Sequence, residues 1–140
     1  MPKRPNRSVH RLNLARLHWE STTMTVARIL LGAVLLWFGV SEIRSPALWT
    51  GYVPLVSPTS GLAVDLVAAH GVILFLMAVA LIFGIAPRIS AMLAALLLLE
   101  IFVSLIASHG LNDIAMRDLG VLGLALAVAG SHSQRWVLTR

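Results

Sequence analysis

The sequence predicts an all-α integral membrane protein, a four-helix bundle with both termini cytoplasmic. Three observations carry this. Of 140 residues, 58% are apolar and 12% charged, about half the charge of a soluble domain. Four apolar runs approach the roughly 20 residues that cross a hydrocarbon slab. With four spans, nine of the eleven basic residues fall on the side of the termini, and only Arg44 and Arg117 fall on the other. Basic side chains mark the cytoplasmic face.

A chain of this length fills one domain. Residues 1–23 form a basic arm. Six basic residues (Lys3, Arg4, Arg7, Arg11, Arg16 and Arg28) lie in the first 28 positions. The net charge of +5 therefore points to anionic lipid rather than nucleic acid. The arm reads either as a basic amphipathic helix, with Leu12 and Trp19 two turns apart, or as a disordered segment. It is not a cleaved signal, because the apolar run after it exceeds a signal's core and lacks a small-residue cleavage motif.

The spans follow in order at about 24–43, 62–86, 89–107 and 114–130. Ser45-Pro46 opens the first loop and Pro87 marks the second. His109-Gly110 begins the third loop, and Asn112 or Asp113 supplies an N-cap for the last helix. Loop 45–61 contains Leu48, Trp49, Tyr52, Val53, Leu55 and Val56 among three prolines. It reads as an interfacial belt with Trp49 and Tyr52 at headgroup level, or as a lid dipping between the helices. Residues 132–140 form a short basic tail, which carries Arg135 and Arg140.

Small residues set the expected packing, because close backbone approach holds helices together in lipid. Gly32 and Gly39 share a face of the first helix. Ala91, Ala94 and Ala95 lie near the inner end of the third. Gly123, Ala127 and Gly130 line the fourth. These faces suit either the bundle itself or a homo-oligomer.

Ionisable groups inside the membrane are costly, so they are the informative residues. His70 and Glu100 fall about 12 Å and about 10 Å below the outer surface, by helix rise. Glu42 ends the first helix on that side. Arg117 and Asp118 lie in the first turns of the fourth, pointing about 100° apart, a spacing that predicts no simple pair. Arg117 is the better inward candidate, as a partner for Glu42 or Glu100. Ser104 shares the face of Glu100. Each helix thus contributes a polar group to the outer half, while the inner half is almost wholly apolar.

Several readings stay open. Glu42, His70, Glu100 and Arg117 can line a cavity in which a quinone head accepts hydrogen bonds from His70 or Arg117 and Glu100 exchanges protons, with Asp118, Ser104, Trp49 and Tyr52 secondary. The same cavity can hold a lipid or small apolar metabolite. His70 and Glu100 can also form a structural bond that fixes helix register, leaving a purely structural subunit. Glu42, His70 and Glu100 are of metal-ligand type but lack any paired spacing, so no metal is expected. Without cysteine, thiolate chemistry, iron–sulfur ligation and covalent c-type haem are excluded. No nucleophile triad, phosphate loop or dinucleotide fingerprint is present, and the chain reads as not catalytic on its own.

Several stretches resemble a known family. They are Arg28-Ile-Leu-Leu-Gly32, Trp37-Phe-Gly39-Val-Ser-Glu42, Pro46-Ala-Leu-Trp49-Thr-Gly-Tyr52-Val-Pro54, His70-Gly71, Gly84 with Arg88, and Asn112-Asp-Ile-Ala-Met-Arg117-Asp118-Leu-Gly120. In order and spacing this resembles the DoxX family of small prokaryotic four-helix membrane proteins, over roughly Arg28 to Gly130. The chain departs from it at Glu42, where many relatives carry lysine. The resemblance implies a four-helix bundle in the cell membrane. It also implies a quinone-linked or accessory subunit of an oxidoreductase system, working with a redox partner.

Overall fold

The computed structural model describes residues 7–131 and 137–138, with side chains described from Glu20 onward. The tail residues 132–136 and 139–140, and Met1–Asn6 of the basic arm, lie outside the described residues.

Four helices run in sequence: α1 (Arg7–Arg44), α2 (Gly61–Phe83), α3 (Pro87–His109) and α4 (Asp113–Gly130). Two single-turn 3₁₀ helices, Pro46–Leu48 and Thr50–Tyr52, lie in the first loop. Three stretches are long and apolar enough to cross a membrane: Glu20–Arg44, Gly61–Phe83 and Pro87–His109. The fourth helix has 18 residues, about 27 Å of rise, and carries Asp113, Arg117 and Asp118 in its first two turns. Large apolar side chains such as Trp37, Leu76, Phe83, Leu96 and Val103 are exposed on the outside of the bundle, as an apolar solvent requires.

Helix α1 begins well before the expected position 24. Its 38 residues span about 57 Å, so the backbone of the basic arm is helical from Arg7 and runs unbroken into the apolar segment. Helix α2 stops three residues short of the expected 86. Gly84 takes a left-handed conformation (φ 71°) and donates its N–H to the carbonyls of Ala80 and Leu81. A glycine closes a helix this way because it has no Cβ to clash. Ala86 (φ 40°) is also left-handed, and Pro87 opens α3 at a position where no N–H is needed. The Ser90 hydroxyl donates to the Ile85 carbonyl at 2.9 Å, which ties this turn down. The starts of α2 and α4 are capped by side chains. Ser60 Oγ accepts from the Ala63 N–H at 3.2 Å, and Asn112 Oδ1 accepts from the Ala115 N–H at 2.9 Å.

The helices pack as two hairpins. α1 lies tightly on α2 and α3 on α4, while the seams α2–α3 and α1–α4 are looser. The α1–α2 contact is close because glycines face each other. A Cβ at Gly32 would sit 2.7 Å from the Ile82 side chain, and one at Gly39 would sit 2.7 Å from the Phe75 nitrogen. A Cβ at Gly71 would meet the Gly39 carbonyl at 3.0 Å. The α3–α4 hairpin buries Ala91, Ala94, Ala95, Ala125 and Ala129 in the same manner, and Leu31, Leu35, Leu74, Leu81, Leu98 and Leu122 fill the centre. At the end of the bundle away from the long first loop, the Arg88 Nε–H reaches the Ala129 carbonyl at 3.4 Å. There too the Leu138 N–H donates to the Gly84 carbonyl at 3.0 Å.

Of the two uses expected for the α4 small-residue face, packing inside the bundle fails, and the inner end also differs from expectation. The Gly123–Ala127–Gly130 stripe does not pack within the chain. All three are exposed, and nothing lies within 4 Å of a Cβ built on Gly123 or Gly130. Helix α4 turns Leu122, Ala125 and Ala129 inward instead, a rotation of about 130° from the expected face. The end away from the long loop is not wholly apolar either. Arg28, counted above with the surface-seeking arm, is 1% exposed inside the bundle, with Thr25 and Ser90 also buried.

Candidate functional site

Apolar residues within about two turns of each loop-end polar group form the walls of a cavity of about 500 Å³, within the range of small-molecule sites. It lies where the four helices splay beneath the first loop. Val34, Leu35 and Phe38 of α1, Val67 and Leu74 of α2, Leu98 and Leu105 of α3 and Val121 of α4 line it. Glu42, His70, Glu100, Ser104, Arg117 and Asp118 supply its polar groups, and Trp49 and Tyr52 reach it from the loop. The eight residues singled out from sequence therefore meet on one surface. Among the described residues no group of three or more possible ligands is placed to hold a metal ion.

Their pairing differs from the expected one. Glu42 sits two residues before the end of α1, where solvation is the simple expectation, yet it is only 7% exposed. Its Oε2 lies 2.7 Å from His70 Nδ1. The glycine crossing produces this contact. Glu42 follows Gly39 by one turn, His70 precedes Gly71, and the Glu42 Cβ would lie 2.9 Å from a Cβ on Gly71. The partner of His70 is thus Glu42 on the neighbouring helix, not Glu100. Glu100 is exposed but near enough for its charge to act on the imidazole. The second ring nitrogen of His70, Nε2, is buried without a hydrogen-bond partner.

Arg117 and Asp118 do form a pair, against expectation. Arg117 Nε donates to Asp118 Oδ1 at 2.9 Å, and Nη2 lies 2.9 Å from the same oxygen. The backbone directions diverge, but the long arginine side chain curls back over one residue. The inward member is Asp118, whose side chain is 10% exposed against 50% for Arg117. Arg117 reaches neither Glu42 nor Glu100 with an ion pair. Its guanidinium lies over the Phe38 ring, 4.9 Å from the centroid, a cation–π contact.

The loop covers the cavity mouth. Trp49 meets Phe38 edge-on at 5.7 Å between ring centroids. Tyr52 lies 6.1 Å from Trp49 and 5.4 Å from His109. The Ser104 hydroxyl donates to the Tyr52 carbonyl at 3.3 Å, which fastens the loop to α3. Val53 and Pro54 complete this cover, whereas Leu48 and Leu55 point outward. Of the two arrangements considered from sequence, the placement of Trp49 and Tyr52 over the cavity matches the lid.

Sequence reasoning missed Gly71 and Phe38. Gly71 had a signal, since it interrupts an apolar run directly after the buried histidine. Phe38 had none, because nothing in α1 distinguishes it from its apolar neighbours. Comparison with protein-family models, with curated proteins and with solved structures finds no match.

Proposed function

We propose that this is a DoxX-like, four-span protein of a prokaryotic cell membrane whose loop-end cavity binds the head of a quinone-type amphiphile, as an accessory subunit of an oxidoreductase system. Helix α4 is the fourth span, and the positive-inside distribution puts the termini in the cytoplasm and the cavity in the outer half. The observation that carries the reading is the wall of the cavity. It is mostly apolar, it is flanked by Phe38, Trp49 and Tyr52, and it includes His70, whose ring is held through Nδ1 by Glu42 and whose Nε2 is buried without a partner. A buried polar atom without a partner costs about 1–3 kcal/mol. A ligand head that hydrogen-bonds to Nε2 recovers that loss while its ring and tail fill the apolar part.

The chain's own residues bind and orient. Glu42 fixes the His70 ring, Glu100 stands beside it as a proton-exchanging group, and the Arg117–Asp118 pair closes the α4 side. Electrons come from and go to a redox partner subunit. The test is purification in mild detergent, followed by native mass spectrometry and a quinone absorbance spectrum. It is run on the wild type and on the double variant Glu100→Gln, His70→Ala. A bound quinone lost in the double variant is expected. A wild-type chain that carries only phospholipid, or nothing, overturns the proposal in favour of a lipid-binding or structural subunit.

A further inference from the structure

Helices α2 and α3 are joined by Gly84, Ile85 and Ala86 alone, yet their seam is looser than the contact within either hairpin. Two helices tied at one end that touch little diverge from the tie, and the cavity lies at the far end. Glu100 marks where it opens. It follows the buried Leu98 by two residues and precedes the buried Leu105 by five, so it points about 140–160° away from their line on α3. It lines the cavity all the same, and its charge acts on His70 of α2. A cavity that touches both Leu98 and Glu100 passes around the edge of α3 that faces α2. Leu66, one turn before His70, lines the same cavity and is 43% exposed. Among the described residues the Glu100 carboxyl makes no hydrogen bond or ion pair, so no bond from it ties the two rims together.

The other approaches are covered. Between α1 and α4, the Arg117 guanidinium lies over Phe38, and Phe38 meets Trp49. Above the seam, the Ser104 hydroxyl, one turn beyond Glu100, holds the Tyr52 carbonyl. What remains is a window in the side wall, with Ser104 and Tyr52 as its roof, Leu66 as one rim and Glu100 with Ile101 as the other. By helix rise Glu100 lies about 10 Å below the outer surface, within the roughly 15 Å filled by the acyl chains of one leaflet. Size matters as well. The cavity of about 500 Å³ holds about 17 water-sized groups at about 30 Å³ each. A substituted ring takes most of that space, so a long tail has to leave it.

We infer that the cavity is loaded sideways from the outer leaflet through the window between α2 and α3, and that its ligand is a membrane-dissolved amphiphile whose tail stays threaded between Leu66 and Ile101. This rests on the reading of the cavity as a site for a ring-headed amphiphile, and it adds the route and the demand for a tail. The head passes from lipid to cavity without entering water and without lifting the loop. Leu66 and Ile101 are then the residues that decide whether a tail can leave.

The experiment is photolabelling of the full chain in phosphatidylcholine nanodiscs. The probe is decylbenzoquinone with a diazirine at the end of its decyl tail, and the labelled positions are mapped by peptide mass spectrometry. Label on α2 within 66–77 and on α3 within 93–101, suppressed by excess unlabelled decylbenzoquinone, is expected. Suppressible label on α1 and α4, or within loop residues 49–54, overturns the inference and leaves the cavity reading standing. No suppressible label anywhere overturns both. Ile101→Trp, which narrows the window, should weaken decylbenzoquinone at least about tenfold, as overpacking does, while tail-less methylbenzoquinone changes by less than about twofold. Retained binding of methylbenzoquinone also shows that the variant is folded. A loss shared equally by the two compounds, or absent from both, overturns the threading of the tail.

Discussion

Replacing Gly39 with alanine tests the contact from which the site is built. The new Cβ would lie 2.7 Å from the Phe75 nitrogen, 2.8 Å from the Gly71 carbonyl oxygen and 3.2 Å from the Leu74 Cβ. Two of these atoms belong to the backbone of α2, so no side chain can swing aside. Restoring ordinary contact requires the helices to part by roughly 0.7 Å. Overpacking of this kind costs about 1–3 kcal/mol. Glu42 lies one turn further along the same face. A parting of that size stretches its 2.7 Å contact with His70 to about 3.4 Å, the limit of a hydrogen bond, and forfeits about 1 kcal/mol more. Alanine returns up to about 1 kcal/mol through helix propensity. The net expectation is a loss of about 1–3 kcal/mol. The assay is unfolding in mixed micelles against a Gly123→Ala control, whose added methyl meets nothing within 4 Å and should leave stability unchanged or raise it by up to about 1 kcal/mol. Equal midpoints for the two variants would refute the glycine crossing and, with it, the cause given for the Glu42–His70 pair.

Further expectations concern the pair, the loop and the caps. Glu42→Leu alone should cost about 1–3 kcal/mol by orphaning His70 Nδ1. The double variant with His70→Leu should recover much of that loss, so a double-mutant cycle by denaturant unfolding that finds the two sites additive contradicts the bond. Ser104→Ala should change stability by no more than about 1 kcal/mol yet speed proteolysis within residues 49–54, and an unchanged cleavage rate would mean the Tyr52 carbonyl needs no tether. Asn112→Ala removes the cap of α4 and should lower stability by about 1 kcal/mol, measured by thermal unfolding, whereas Asp113→Ala, which leaves the capping side chain in place, should have the smaller effect.

How far the sequence reaches depends on the kind of information each feature needs. The four helices, and the three of them long and apolar enough to cross a membrane, were legible because a helix in lipid declares itself by composition alone. Asn112 was legible because a cap is a local bond across three residues. That His70 and Glu100 line one cavity was legible because rise per residue is fixed. What was not legible is rotation between helices. Periodicity says that Gly32 and Gly39 share a face, but not which face of α2 meets them. His70 was therefore matched to Glu100 by depth when the glycine crossing delivers Glu42. The same gap explains α4, where two small-residue faces, 123–127–130 and 125–129, compete in sequence. Only packing against the alanines of α3 chooses the second. Arg117 with Asp118 failed for a different reason. The argument used backbone directions, and a side chain with four rotatable bonds is not bound by them.

The looser seams between the two hairpins give the cavity a mechanical character. Its strong electrostatic contacts do not cross them. Glu42 and His70 both belong to the α1–α2 hairpin, and Arg117 and Asp118 both belong to α4. Across the seams, among the described side chains at this end, run the Ser104–Tyr52 hydrogen bond of 3.3 Å, the Tyr52–His109 ring contact and the Arg117–Phe38 contact. Each ion pair closes inside one half before the halves meet, and Glu100 stands outside both pairs. The two hairpins can therefore swing apart about the left-handed turn at Gly84 and Ala86, as the covers of a book move on its spine, without separating an ion pair in a medium where doing so is most expensive. The resistance to that motion comes from the leucine centre shared by the hairpins, from aromatic contact and from one long hydrogen bond, with no ion pair added to it.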